Sequence, residues 1–291
     1  MATAREWLQG ARPRTLPAAI APVAAGTGAA AAVDLADIGR ALLALLVAVA
    51  LQVGVNYAND YSDGIRGTDA DRTGPVRLVG SGLASPGAVR AAALLGFAVA
   101  AATGLVLAAL TTWWLVLVGA AAVVAGWFYT GGPRPYGYRG VGEVSVFVFF
   151  GLVATVGTTY VQAETVTAIS VLAGVGCGAL ACAILVANNL RDLDGDRAAE
   201  KVTLAVRLGD RRTRWLYVAL MATPYVVLVP MVLQHPPALV VIVTAVAAVR
   251  TARLVLRGAT GAALVAVLRQ TGELLLAYGV GLFVLLTWPP G

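Results

Sequence analysis

Residues 41–63 read ALLALLVAVALQVGVNYANDYSD, an apolar run that passes without a break into Asn56, Asn59, Asp60 and Asp63. No charge precedes Asp60 in it, and about 20 apolar residues suffice to cross a hydrocarbon core. In lipid every backbone group must be satisfied within its own segment, so such a run folds as a helix. Outward in both directions the pattern recurs. Spans near 15–33, 37–59, 86–110, 111–129, 142–162, 166–190, 214–233, 236–255 and 269–288 predict nine transmembrane helices. The roughly ten-residue alternating segments of a β-barrel do not occur. The expected fold is an all-α polytopic membrane protein, one bundle and one domain over residues 1–291.

Composition agrees. The chain is 59% hydrophobic and 12% charged, against about 25% charged in a soluble domain, and its mean hydropathy is +0.82. A net charge of +6 would suggest nucleic acid in a soluble protein, but its placement argues for topology. With the N-terminus in the cytoplasm, every one of the 21 Lys and Arg residues except Arg40 falls on the inside, as the positive-inside rule requires. Arg5, Arg12 and Arg14 precede a first helix that reads as retained. No nucleic-acid partner is implied; the partner is the lipid bilayer. Cys177 and Cys182 share one apolar run, five residues apart, which is neither a disulfide framework nor a zinc spacing.

Two acidic segments carry the chemistry. The first runs Asn56, Asn59, Asp60, Tyr61, Asp63, Arg66, Asp69, Asp71, Arg72; the second runs Asn188, Asn189, Arg191, Asp192, Asp194, Asp196, Arg197. Asn56-x3-Asp60 and Asn188-x3-Asp192 close the second and sixth spans at corresponding places. This predicts two four-helix repeats, about 15–129 and 142–255, with a ninth helix near 269–288. Residues four apart share a helix face, so Asn188, Asp192 and Asp196 form a ladder of oxygen donors. Asn56, Asp60 and Asp63 form a similar one. Adjacent carboxylates repel, and a divalent cation relieves that repulsion. Oxygen donors without His or Cys favour Mg²⁺, which binds jointly through carboxylates and substrate phosphates.

Arg66, Arg72, Arg77, Arg191, Lys201 and Arg207 interleave these carboxylates and suit phosphate oxygens, arginine by bidentate contacts. A third inside loop holds Tyr129, Arg134, Tyr136, Tyr138, Arg139 and Glu143. Its tyrosines fit an interfacial belt. Glu143 opens an apolar run, where an ionisable group usually faces an interior cavity. No Ser/His/Asp, Walker or dinucleotide-binding arrangement is present, and His235 lies in an outside turn far from the acidic segments.

These segments resemble the UbiA-type intramembrane prenyltransferases, and within them the branch that prenylates 1,4-dihydroxy-2-naphthoate for menaquinone. The resemblance rests on Ala11-Arg12-Pro13-Arg14-Thr15-Leu16-Pro17, Asn59-Asp60-Tyr61-x-Asp63 with Gly74-Pro75-x-Arg77, and Tyr129-Thr130-Gly131-Gly132-Pro133. It rests further on Gly142-Glu143, Asn188-Asn189-Leu190-Arg191-Asp192, and Lys201-x-Thr203-Leu204-Ala205-Val206-Arg207-Leu208-Gly209. It implies a polyprenyl diphosphate donor, a dihydroxynaphthoate acceptor, and two Mg²⁺ ions held by Asp60, Asp63 and Asn56 with Asp192, Asp196 and Asn188. Asn59, Arg12, Arg134 and Arg139 join the substrate-binding set, and Arg12, Tyr61, Glu143 and Tyr160 are candidates for steering or proton acceptance. Two departures stand out. The family motif places an Asp four residues beyond Asp63, where this chain has Gly67, so Asp69 or Asp71 completes it. Pro133 stands where the family has Lys, leaving Arg134 or Arg139 for its role.

Other readings fit less well. A CDP-alcohol phosphatidyltransferase needs a closing Asp ladder in the same loop, and only Asp63-Gly64 matches. An ion-coupled transporter holds its site near the midplane on broken helices, whereas these carboxylates gather at one face. Another aromatic prenyltransferase of the same type is the remaining alternative.

Overall fold

The computed structural model describes residues 2–67 and 77–288. Asp69, Asp71 and Arg72 lie outside the described residues. Among the described residues the chain is helical, with no strand. A short surface helix α1 (Ala4–Gly10) starts on a reciprocal cap in which Thr3 and Glu6 bond each other's backbone N–H. Then come α2 (Pro17–Ala31), α3 (Ile38–Ile65), α4 (Pro86–Leu110) and α5 (Leu115–Phe128). After a looped stretch follow α6 (Gly142–Ala163) and α7 (Ala168–Arg191), then the short α8 (Leu193–Ala198). The chain ends in α9 (Leu204–Gln234), α10 (Pro236–Leu256) and α11 (Gly261–Leu286).

Seven of these helices are long and apolar enough to cross a membrane: α3, α4, α6, α7, α9, α10 and α11. The other two apolar helices are shorter than the hydropathy runs suggest. Pro17 opens α2, which has 15 residues and so spans about 22 Å. Thr111 to Trp114 form a turn, delaying α5 to Leu115. Elsewhere helices outlast their apolar runs: α3 continues to Ile65, which carries Asp60 and Asp63 on the helix itself. Likewise α9 starts at Leu204, bending at Gly209 where φ is +74°, a conformation open chiefly to glycine. Within α6, Phe147–Val153 is π-helical, a widening of the turn often found at functional sites.

The centre of the bundle is α7, the most buried of the long helices, packed by α2, α6, α9 and α11. Small residues permit the close approach, as is general in membrane helices. Gly151 on α6 meets Gly178 on α7, and Gly279 on α11 meets Ala21 on α2. A β-carbon at Gly279 would overlap the backbone of Ala21. Gly279→Val is therefore expected to cost about 1–3 kcal/mol of stability by overpacking, read as an earlier thermal unfolding midpoint in detergent; an unchanged midpoint would show that α2 and α11 do not pack this way. At the opposite end from the acidic segments, Arg40 ties three helices together. Its guanidinium donates to the Val161 and Leu110 carbonyls, at 3.0 and 3.1 Å, and pairs with Glu164 at 2.9 Å. The single cation on the expected outer side is thus a clamp. His235 is buried with its ring nitrogen 3.0 Å from the Leu285 carbonyl, and both cysteines are buried and free.

Candidate active site

The end of α3 and its capping residue set out Asn59, Asp63 and Arg66 at i, i+4 and i+7, a single helix face. All three meet the loop between α5 and α6. The Thr130 hydroxyl donates to Asn59 Oδ1 at 2.7 Å, and the Tyr138 hydroxyl donates to Asp63 Oδ1. Arg66 donates to the Thr130 and Gly132 carbonyls. The other Asp63 oxygen is 3.4 Å from the Arg77 guanidinium, and the Asp63 side chain is only 5% exposed.

The end of α7 supplies the second group. Arg191 grips Asp192 with two hydrogen bonds of 2.7 Å and reaches Asn188 Oδ1 at 2.9 Å. The helix breaks at Asp192, but the Asp196 N–H bonds the Asp192 carbonyl at 2.7 Å, so the expected spacing continues into α8. Asp196 is buried, while Asp194 is almost wholly exposed beside Arg197.

Tyr138 joins the two halves. Besides its bond to Asp63, its ring carries the Lys201 ammonium 4.5 Å from the centroid and the Arg66 guanidinium at 5.8 Å, within range of cation–π attraction. The Tyr138 carbonyl accepts the Val202 N–H at 2.9 Å, and Arg207 donates to the Arg139 carbonyl at 2.8 Å. Arg134, Arg139 and Arg207 with Tyr138 and Glu200 line a recess of about 330 Å³. Tyr138 is a candidate site residue that sequence reading passed over, because a tyrosine at an interface is ordinarily a belt residue. Tyr138→Phe keeps the ring and removes one bond to a charged group; kcat/KM is expected to fall about tenfold, and an unchanged value would show that the hydroxyl does not hold Asp63.

Beneath this charged mouth lies an apolar cavity, also about 330 Å³, between α2, α3, α5 and α6, the size of a small-molecule site. Asn56, Asn59, Tyr129, Tyr136 and Ser145 form its polar end, and Phe149, Phe150 and Val153 of the π-helical turn line its wall. Burial raises the pKa of Tyr136 above the usual phenol range, so its hydroxyl stays protonated, donating to the Ala125 carbonyl and lying 2.8 Å from Ser145 Oγ.

Several expected site residues have partners of their own. Asp60 is fully buried, and its two oxygens accept the Leu78 and Val79 N–H groups at 2.8 and 3.1 Å. Asn56 lines the cavity but spends its amide N–H groups on Ala11 and Thr15, both at 2.9 Å. Tyr61 packs against Trp127, ring centroids 6.3 Å apart. Tyr160 stacks edge-on with Trp114, about 25 Å along α6 from Glu143 at 1.5 Å per residue. Glu143 itself is buried and accepts from Asn189 Nδ2 at 3.0 Å, linking α6 to α7. Arg12 adopts a left-handed conformation, φ 55°, at the turn before α2.

Among the described residues no three His, Cys, Asp or Glu side chains gather closely enough to cage a metal by themselves. The donor chemistry still suits one kind of ion. Asp63, Asp192, Asp196 and Asn188 offer oxygen only, on two segments that Tyr138 and Lys201 connect, with arginines alongside. A hard cation that draws its remaining ligands from phosphate and water fits such a set.

The UbiA prenyltransferase family pattern matches residues 19–271. The chain belongs to the UbiA prenyltransferase family. A 1,4-dihydroxy-2-naphthoate octaprenyltransferase of Mycobacterium tuberculosis is 55% identical over 280 residues, covering 96% of each chain. The enzyme of the same name from Escherichia coli is 39% identical over 222 residues, 74% of this chain and 72% of that one. Among solved structures, a UbiA homolog from Aeropyrum pernix superposes with a TM-score of 0.71 at 17% identity, over 92% of this chain and 97% of that one. A UbiA homolog from Archaeoglobus fulgidus bound to GPP and Mg²⁺ gives 0.64 at 15% identity, over 96% and 99%. At those identities the structures show the shared fold. Family membership and the run of apolar helices together make the chain a multi-pass membrane protein.

Proposed function

We propose that this UbiA prenyltransferase moves a polyprenyl group from an allylic polyprenyl diphosphate to 1,4-dihydroxy-2-naphthoate, with loss of the carboxylate, giving demethylmenaquinol for menaquinone synthesis. The observation that carries the reading is the pairing of a 55% identical naphthoate octaprenyltransferase over nearly the whole chain with a mouth of carboxylates and cations above an apolar cavity. We further propose that all nine apolar helices cross a bacterial cytoplasmic membrane with the N-terminus and both acidic segments on the cytoplasmic side. The two halves then act as repeats of one four-helix unit.

Asp63, Asp192 and Asp196, with Asn188, would hold a metal at the diphosphate mouth, and Asp69 or Asp71 would complete the first motif, whose usual position is Gly67. Two Mg²⁺ ions, when bound, supply positive charge for the leaving diphosphate. Arg66, Arg77, Arg191, Lys201 and Arg207 surround the same mouth and neutralise the oxygens that remain. Arg134 and Arg139 extend this field at the outer recess. As the allylic C–O bond breaks, its electron pair leaves on the diphosphate, and these fixed charges stabilise the departing group without reorganising. The apolar cavity keeps water from the resulting cation. Asn59, Asn56 and the protonated Tyr136 at its polar end orient the acceptor ring before ionisation. The electron-rich ring forms the new C–C bond, and loss of CO₂ returns the electron pair that restores aromaticity. Glu143, whose carboxylate accepts from Asn189, is assigned the role of proton or hydrogen-bond acceptor.

Purified chain in detergent, given labelled polyprenyl diphosphate, Mg²⁺ and dihydroxynaphthoate, should yield prenylated naphthol, and EDTA should stop it until Mg²⁺ is restored. Product from 4-hydroxybenzoate but not from dihydroxynaphthoate would move the chain to another branch of the family.

A further inference from the structure

Asp60 ends an apolar helix beside the proposed metal residues, yet every hydrogen bond described for its carboxylate comes from the returning first loop. Oδ2 accepts the Leu78 N–H at 2.8 Å and Oδ1 accepts the Val79 N–H at 3.1 Å, with the side chain fully buried. The loop at that point is a tied turn. Ser81, Gly82 and Ala84 donate back to the Arg77, Val79 and Leu78 carbonyls, each at 3.0 Å. Leu78 is itself fully buried, against Gly10 of α1 and among Tyr57, Val89 and Phe97. Val79 packs on Gly64, where a β-carbon would stand 2.5 Å from its side chain. Arg77, immediately before this turn, reaches Asp63 at 3.4 Å.

A carboxylate that turned from these N–H groups to a metal would break two charge-assisted bonds and leave two backbone donors unpaired. We infer that Asp60 is a positioning residue and not a metal ligand: it anchors the Leu78–Val79 backbone, and the anchored turn fixes Arg77 against Asp63 at the diphosphate mouth. The part played by Arg77 rests on the function proposed above. The anchor does not, since it is read from hydrogen exchange without turnover.

The test uses the full chain in nanodiscs, with hydrogen exchange followed in the peptide covering 77–84 and Mn²⁺ binding followed by electron paramagnetic resonance. In the native protein, Mg²⁺ with geranyl diphosphate should leave Leu78–Val79 exchange as slow as before or slower. Asp60→Asn should speed that exchange about tenfold or more while weakening Mn²⁺ binding in the presence of geranyl diphosphate far less than Asp63→Asn does. Asp63→Asn should leave the exchange unchanged and weaken Mn²⁺ binding about tenfold or more. Exchange that accelerates on adding Mg²⁺ and diphosphate would overturn the inference, as would an Asp60→Asn variant that loses Mn²⁺ as steeply as Asp63→Asn. If Asp60→Asn does not fold, the native exchange measurement decides alone. If the native protein binds no Mn²⁺, the metal reading fails while the exchange still reports on the anchor.

Discussion

Asp192→Ala is expected to lower kcat/KM by about 10³ or more, the scale of removing a preorganised electrostatic group from a water-poor site. Asp192 is the junction of α7 and α8, and both of its oxygens face Arg191. Its loss removes a proposed metal donor and also frees Arg191, whose other described partner is Asn188. A buried charge left without its partner is costly, so a smaller drop in thermal stability should accompany the kinetic loss. Asp192→Asn separates the two effects. It keeps an oxygen for Arg191 but loses the charge a metal needs, so the kinetic loss should remain while stability recovers. Steady-state kinetics and thermal unfolding on the same preparations check this; full activity in either variant would remove the second segment from the metal site.

The comparable experiment on the other segment is Asp63→Asn, for which a fall of similar size, about 10³, is expected. Asp63 receives Tyr138 on one oxygen and faces Arg77 with the other. The amide would set an N–H against one of these donors. The Mg²⁺ concentration for half-maximal rate should rise as well, because a carboxylate becomes a neutral donor. A variant that lost rate with an unchanged Mg²⁺ requirement would place Asp63 in loop positioning alone.

Most of the bundle is legible in the hydropathy pattern, because a lipid-spanning segment must satisfy its own backbone and cannot hide its length. What the pattern does not carry is where polar residues extend a helix, as at Asp60–Ile65, or where a turn shortens one, as at Thr111–Trp114. The second acidic segment is legible for a local reason: Asn188, Asp192 and Asp196 follow one helical period. In the first segment two such pairs compete. Asn56-x3-Asp60 and Asn59-x3-Asp63 have identical spacing, and each can be aligned with Asn188-x3-Asp192. A loop that returns at Leu78 and Val79 occupies the Asp60 carboxylate, a contact 18 residues away that no local spacing reveals. Tyr138 is hidden by the same kind of distance, since its meaning comes from Asp63 and Lys201, on two other elements. Arg40, the exception to the charge count, becomes intelligible once Leu110, Val161 and Glu164 are seen beside it.

The measurement that bears most directly on the whole account uses dihydroxynaphthoate labelled with ¹³C in its carboxyl group. Incubated with the purified chain, Mg²⁺ and a polyprenyl diphosphate, it should release one labelled CO₂ for each prenyl group transferred and give a naphthol product without the label. Prenylated product that retains the labelled carboxylate, or labelled substrate left untouched while diphosphate is consumed, would contradict it.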